Sequence, residues 1–466
     1  MRADRSMALW LLNATINHSD LASVIQQARN AGQPIHVLHH RRDRDAILQA
    51  VPPGDPPISL IEVAEESYDL PGGFIDDKSE VIFLPCSARI DWVDLRERRP
   101  LAHPHCLQPL VAQPPRVTPF FHFAGPTGWW GWRATGALAR RILREPSAWE
   151  GTGIELVETI QKWPDPPRWQ SIPFLARGTT DYPISSPPVM TMLSSVLAVI
   201  SYYRCEKWLH ACLTSMTQQT HPPENIVVID DCSPELPVDL LETFPDVTLL
   251  SSTRRVGSEK ILDGIVKATS YNAYMVQDAD DWSSHDRLEL SLREAERSGA
   301  DMVGTHEFRI NHPSQALELG IYPPDVNAAM RQGLAHYILH CTSVISRALI
   351  MRVGGFDQRF KLLADTDFLM RAWYAGQIVN LPAFCLFHRI RPGSITTHVE
   401  TGYESPTRLL EDRFMKILAI RNLQSSRAGL RPELFAKQFE EPVGFIHHRG
   451  PELQWNGRLS RGTEPQ

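Results

Sequence analysis

Asp278-Ala279-Asp280-Asp281 puts three carboxylates into four residues, directly behind the apolar run Tyr274-Met275-Val276. A buried strand that ends in acids sets negative charge at the carboxyl edge of a sheet, the edge at which open α/β folds bind ligands. Carboxylate oxygens are hard ligands, and a Mg²⁺ or Mn²⁺ ion carrying the phosphates of a nucleotide is their natural counter-charge. A solvated acidic turn is the other reading of the same residues, because Asp is a favoured turn former. The elements around the cluster decide between the two.

A chain of 466 residues is too long for one core and predicts two or three domains. A hydrophobic fraction of 42% and a charged fraction of 22% are those of an ordinary globular protein. The formal net charge of -7 argues against a nucleic-acid partner, which calls for a basic face. Seven cysteines, an odd number without a CxxC pair, read as reduced thiols rather than a disulfide framework or a zinc site. No stretch approaches the eighteen or so apolar residues that a membrane-spanning helix needs. The apolar run Ala8 to Leu12 is too short for a signal peptide. The expectation is a cytoplasmic protein, with peripheral association at the inner face of a membrane left open.

The extended segment Tyr182-Pro183-Ile184-Ser185-Ser186-Pro187-Pro188 marks a linker over residues 181–193. Behind it, apolar periodicity predicts strands at Val196–Ser201, Asn225–Ile229, Val247–Leu250 and Tyr274–Val276. It predicts helices at Glu206–Gln218, Ser258–Ala268 and Asp286–Ser298. This alternation gives a mixed, mostly parallel sheet covered on both faces. Less regular strands follow near 300–303, 342–346 and 378–381, with a helix at Thr366–Ala375. Residues 194–423 form the expected main domain, and the polar stretch 424–466 reads as a loosely ordered tail.

Residues 194–400 resemble the family 2 glycosyltransferases of the GT-A fold, on five motifs in order. They are Val199-Ile200-Ser201-Tyr202-Tyr203; Gln218-Gln219-Thr220-His221-Pro222 through Val227-Val228-Ile229-Asp230-Asp231-Cys232-Ser233; Asp278-Ala279-Asp280-Asp281, a DxD motif; Gly354-Gly355-Phe356-Asp357 with Ala364-Asp365-Thr366-Asp367; and Arg391-Pro392-Gly393-Ser394-Ile395-Thr396. The resemblance implies transfer of a sugar from a nucleotide-sugar donor, a UDP-sugar above all, to an acceptor hydroxyl. That acceptor would be a glycan, a lipid-linked sugar or a small molecule.

The same resemblance implies the roles. Asp231 accepts from the uracil N–H, with Asp230 beside it and Ser201 and Tyr202 lining the base pocket. Asp280, with Asp278, holds a Mn²⁺ or Mg²⁺ ion that neutralises the departing diphosphate. Lys260, Arg389 and Arg391 are candidate diphosphate partners. Asp365 takes the proton of the attacking hydroxyl, and a single displacement inverts the anomeric centre. As a helix-first residue Asp365 could instead be a simple N-cap. His388 and His398 are candidate further metal ligands.

Three positions depart from the family pattern. Ala364 stands where a Glu usually precedes the base, Cys232 replaces a turn Gly, and Arg391 stands for a His before Pro-Gly-Ser. Residues 1–180 repeat the strand plan in a degenerate GT-A-like α/β domain, expected to be non-catalytic. There Pro85-Cys86-Ser87 takes the place of Asp278-Ala279-Asp280, and Gly153 that of Asp365. The competing functions are a non-catalytic carbohydrate- or nucleotide-binding scaffold and a sugar-phosphate nucleotidyltransferase. The latter calls for a Gly-rich phosphate loop after the first strand, which Tyr202-Tyr203-Arg204 does not supply.

Overall fold

In a computed structural model the described residues are 9–13, 35–39, 49, 58–62, 80–85, 106–110, 122–127, 131–142, 144–145, 154–173, 195–314, 316–439 and 441–456. The chain divides into two compact units, residues 1–117 with 123–179 and 309–319, and residues 118–122 with 180–308 and 320–466. The expected linker, Cys86, Ser87 and Gly153 lie outside the described residues.

The first unit contains β1 (Leu9–Asn13), β2 (Ile35–His39), β3 (Ile58–Glu62), β4 (Glu80–Pro85) and β5 (Cys106–Leu110). After them come β6 (His122–Thr127), β7 (Gly131–Thr135), β8 (Arg168–Trp169) and β9 (Ile172–Pro173). Its helices are α1 (Gly136–Ile142) and α2 (Ile154–Gln161). Its sheet runs β3-β2-β1-β4-β7-β5-β8, parallel through β4 and reversed at β7.

The second unit opens with β10 (Val196–Tyr202), α3 (Glu206–Thr217), β11 (Asn225–Asp230) and β12 (Val247–Ser252). Next are α4 (Ser258–Ala268), β13 (Ala273–Asp278), β14 (Trp282–Ser283) and α5 (Arg287–Ser298). Then follow β15 (Met302–Asn311) and β16 (Ala316–Ile321), of which residues 309–319 belong to the first unit, and then β17 (Val344–Ser346) and α6 (Ala364–Ala372). The last elements are β18 (Ile378–Ile390), α7 (Pro406–Arg427) and β19 (Phe445–Arg449). The mixed, mostly parallel α/β sheet expected from the sequence is present: β12, β11, β10 and β13 are parallel neighbours, and β17 is antiparallel to β13.

The two units share strand order and register. Asn13 lies opposite Leu38 and Pro85, as Ser201 lies opposite Ile229 and Asp278. Glu80 pairs with Thr135 as Ala273 pairs with Ser346, and Leu107 faces Ala134 as Met302 faces Ile345. The order β3-β2-β1-β4-β7-β5 in the first unit thus repeats as β12-β11-β10-β13-β17-β15 in the second, six strands with the same parallel and antiparallel neighbours.

Strand alternation sorts the core of the second unit into two layers. Leu197, Val199, Val227, Ile229, Tyr274 and Val276 pack on one face with α4, α6 and α7. Val196, Ala198, Ile200, Tyr202, Val228 and Met275 pack on the other with α3 and α5. The stretch expected as a loose tail departs from that expectation over 428–456. There β19 runs antiparallel to β12 with Ser252 opposite Phe445, and Phe445 is buried. Its polar composition hid an edge strand, whose outer face needs no apolar residues.

Candidate functional site

Parity along β13 aims the acids. Tyr274 and Val276 belong to the layer of α4 and α6, so Asp278, at the same parity, points toward those helices. Asp278 is half-buried, and burial together with the charges of Asp280 and Asp365 pushes its carboxyl up to about 6. Glu259, in the first turn of α4, is pushed up to about 7 by burial and then by Asp365 and Asp278. Asp278, Asp280, Glu259 and Asp365 therefore act on one another at a single edge of the sheet. Sequence reasoning missed Glu259. The 3.6-residue period set it apart from the buried stripe Ile261, Leu262 and Ile265, which was the available signal.

Asp281 lies behind the others, 1% exposed. Its Oδ1 accepts from the Arg389 backbone N–H at 2.7 Å, and its Oδ2 has no hydrogen-bond partner among the described residues. Asp278, Asp281 and Cys341 present donor atoms within 4.8 Å of one another. Burial pushes the Cys341 thiol well above its usual range, so at neutral pH it stays an S–H that donates to Asp278. His388 stands within charge reach of Asp278 and Asp281, with its Nδ1 against the buried carboxylate of Glu307. His398 is elsewhere, in an exposed loop, where its Nδ1 accepts from the Glu400 N–H at 3.2 Å.

Asp280 is matched by a cation. Arg391 Nε donates to Asp280 Oδ2 at 2.7 Å, and the guanidinium lies 4.3 Å from the ring centre of Trp208. Arg389 is buried beneath it, 4.9 Å from the Trp282 ring and bonded to the Asp280 carbonyl. Arg391, expected from the sequence to face a diphosphate, thus forms an ion pair with Asp280.

The acid turn rests on a buried scaffold. The fully buried Arg287 donates to Gln277 Oε1 at 2.8 Å, Ser283 Oγ at 2.9 Å, Val276 O at 2.8 Å and Cys341 O at 2.9 Å. Gln219, within the motif Gln218-Gln219-Thr220-His221-Pro222, donates to Ser284 O at 2.7 Å and accepts from the Leu288 N–H at 3.0 Å. That motif ties the end of α3 to the segment that leaves the acids.

Asp365 is in the first turn of α6, whose N-cap is Leu363, so capping does not account for it. Its Oδ1 accepts from the Thr366 N–H at 2.6 Å. The buried Arg371 fixes the helix through Asp367 at 2.8 Å and the carbonyls of Val353, Leu434 and Gly355. Gly355, at φ +80°, lies so close to Asp263 that an added Cβ would stand 1.9 Å from its Oδ1.

Just beyond β11, Asp231 is buried and accepts from the backbone N–H groups of Val256 at 2.7 Å and Gly257 at 2.8 Å. Asp230 closes a turn by accepting from the Ser233 N–H, and burial is the main cause that raises its pKa. Cys232 takes φ +61°, the left-handed backbone for which Gly is the usual residue. Ser201 is half-buried at the strand end. Tyr202, expected beside it in the base pocket, is instead 1% exposed in the α3 layer with Cys205 and Leu209. Two-residue alternation puts Tyr203 on the Ser201 side, where Arg255 lies 4.0 Å from the ring centre. Lys260 is half-buried in the first turn of α4, one residue beyond Glu259.

Residues 197–354 match the family model described as "Glycosyl transferase family 2". Over that stretch, about a third of the chain, it resembles the family 2 glycosyltransferases, and the match ends before Asp365 and Arg391. Among individual proteins, the chain is 23% identical over 212 residues to an uncharacterized glycosyltransferase of Haemophilus influenzae, an alignment covering 44% of this chain and 72% of that protein. Among solved structures it is similar to S. aureus TarS residues 1–349 in complex with UDP-GlcNAc, at 19% identity and a TM-score of 0.40, over 49% of this chain and 67% of that one. The same TarS fragment in complex with UDP gives 16% identity and a TM-score of 0.36, over 50% and 72% of the two chains.

Proposed function

We propose that the second unit transfers a sugar from a UDP-sugar to an acceptor hydroxyl with inversion, and that Asp365 is the general base. The observation that carries this reading is the meeting of Asp278, Asp280, Glu259 and Asp365 at the carboxyl edge of β10 and β13, where Asp280 and Asp365 raise the proton affinity of the buried Asp278, and Asp365 and Asp278 that of Glu259. The donor set is hard carboxylate oxygen, one buried oxygen of Asp281 is unpartnered among the described residues, and the acids repel one another. These features fit a divalent cation. Asp278 and Asp280 would hold it, with Asp281 and His388 adjacent, and the thiol of Cys341 is a poor ligand for a hard ion. When bound, such an ion supplies Lewis-acid stabilisation of a leaving diphosphate.

The chain's own residues do the rest. Tyr203 and Ser201 flank the base, Asp231 offers its remaining lone pairs to a uracil N–H, and Lys260 and Arg391 face the phosphates. Asp365 removes the acceptor proton while Arg371 and Asp367 hold α6 still, so the proton acceptor is aimed before substrate arrives. Glu259, which lies within charge reach of Asp365, would substitute for the carboxylate that Ala364 lacks. The first unit is proposed to be non-catalytic, because its register sets Pro85 where the second unit has Asp278.

A second reading, a nucleotide- or carbohydrate-binding scaffold, is favoured by one observation: Asp280 already has Arg391 as its counter-charge. The two separate in UDP release from a panel of UDP-sugars with Mn²⁺. Turnover by the wild type that falls roughly 10²–10⁴-fold in Asp365→Asn, with a comparable loss in Asp280→Ala, supports transfer. Equal turnover in all three proteins defeats it, and binding of UDP without turnover of any donor assigns the scaffold.

A further inference from the structure

Among the described residues, the outer face of α7 is the largest run of exposed apolar side chains on a single helix of the second unit. Leu409, Leu410, Phe414, Ile417 and Ile420 are 46, 69, 40, 53 and 49% exposed. The inner face is Arg408, Met415, Ala419 and Asn422, all buried. At 100° per residue, Leu410 and Ile417 fall on the side opposite that buried stripe, Phe414 lies toward one flank with its ring 5.7 Å from that of Phe360, and Arg413, Lys416, Arg421 and Arg427, all exposed, lie among and beside them. The two acids of the helix are engaged: Glu411 accepts from the Lys361 and Leu362 N–H groups, and Asp412 pairs with Lys416 at 2.7 Å.

We propose that this face docks the protein on an anionic lipid bilayer surface, with α7 lying in the headgroup plane. Apolar side chains interleaved with long cations are the pattern such an interface selects. The apolar groups enter the acyl boundary while the Lys and Arg stems snorkel to phosphate. A second copy of the chain is the competing occupant, and charge disfavours it. Laid antiparallel about Ile417, two copies of α7 would set Arg413 against Arg421. The formal net charge of -7 does not oppose the docking, since screening at physiological salt confines interactions to about 8 Å and leaves the local cations dominant. The helix begins fifteen residues after Arg391 (406 − 391), so the docked face is joined through one short loop to the site.

The inference stands apart from the transfer reaction and is tested by binding alone. Full-length protein is co-sedimented with phosphatidylcholine vesicles, with and without phosphatidylglycerol, at low and high salt. The expected result is sedimentation with the anionic vesicles, weakened about tenfold or more by neutral lipid or by high salt. Leu410→Gln with Ile417→Gln, and separately Arg413→Gln with Arg421→Gln, each lower binding by a similar factor while the thermal melt is unchanged. No sedimentation, equal binding to neutral vesicles, or wild-type binding by both double variants overturns the proposal. A concentration-dependent dimer lost in the Leu410/Ile417 variant gives the face to a second copy and equally overturns it.

Discussion

Arg287 is the residue on which the acid turn depends, and removing it gives the most demanding test of the site. Its guanidinium makes four hydrogen bonds, at 2.8–2.9 Å, to Gln277, Ser283 and the carbonyls of Val276 and Cys341. Bonds from a cation contribute roughly 1.5–3 kcal/mol each. Against them stands the burial of the charge, which lowers the guanidinium to about 10 and costs roughly 3 kcal/mol at about 1.4 kcal/mol per tenfold. Arg287→Met removes both terms and leaves two buried carbonyls without their donors. The expected loss is about 3–5 kcal/mol, the range for breaking other buried charged networks. Arg287→Lys keeps the charge but offers one point donor in place of a fork, and is expected to lose about half as much. Urea unfolding measures the totals, and amide exchange over residues 276–284 shows whether the loss is local. A Met variant within about 1 kcal/mol of wild type, with unchanged exchange in that segment, would refute the scaffold role.

Two further outcomes follow from the same geometry. Gly355→Ala places a side chain in left-handed backbone, roughly 1–2 kcal/mol, and drives its Cβ to 1.9 Å from Asp263 Oδ1. It should lower the thermal midpoint by several degrees, and an unchanged midpoint would remove the close contact as a constraint on α6. Glu259 and Asp278 have raised folded-state pKa values, about 7 and about 6. The protonated acids therefore favour the folded state below the ordinary carboxylate range, and that stability is lost as pH rises through about 7. Glu259→Gln should flatten the decline in urea midpoint between pH 5 and pH 8, and a parallel decline in both proteins would exclude Glu259 as its source.

Much of this was legible in the chain, for identifiable reasons. Strands β10 to β13 and helices α3 and α4 each carry their own apolar period, a local property that a sequence displays. The acids at the end of β13 were visible for the same reason, since a strand that stops in Asp278 must present them at a sheet edge. Alternation also held the correction to one expectation, for Tyr202 shares parity with Ala198 and Ile200 and so belongs in the core. The C-terminal stretch misled because an edge strand such as β19 needs partners on one side only and can remain polar.

What the sequence by itself determined is the order of strands, the edge on which the acids gather and the family of motifs they belong to, all written within single elements. The tertiary structure alone decided which charges meet. Asp280 and Arg391 are 111 residues apart, and Glu259 and Asp365 are 106 apart (365 − 259). Nothing local to either partner encodes such pairings. They follow from the packing of α4 and α6 on the same face of the sheet and from the return of β18 alongside β14.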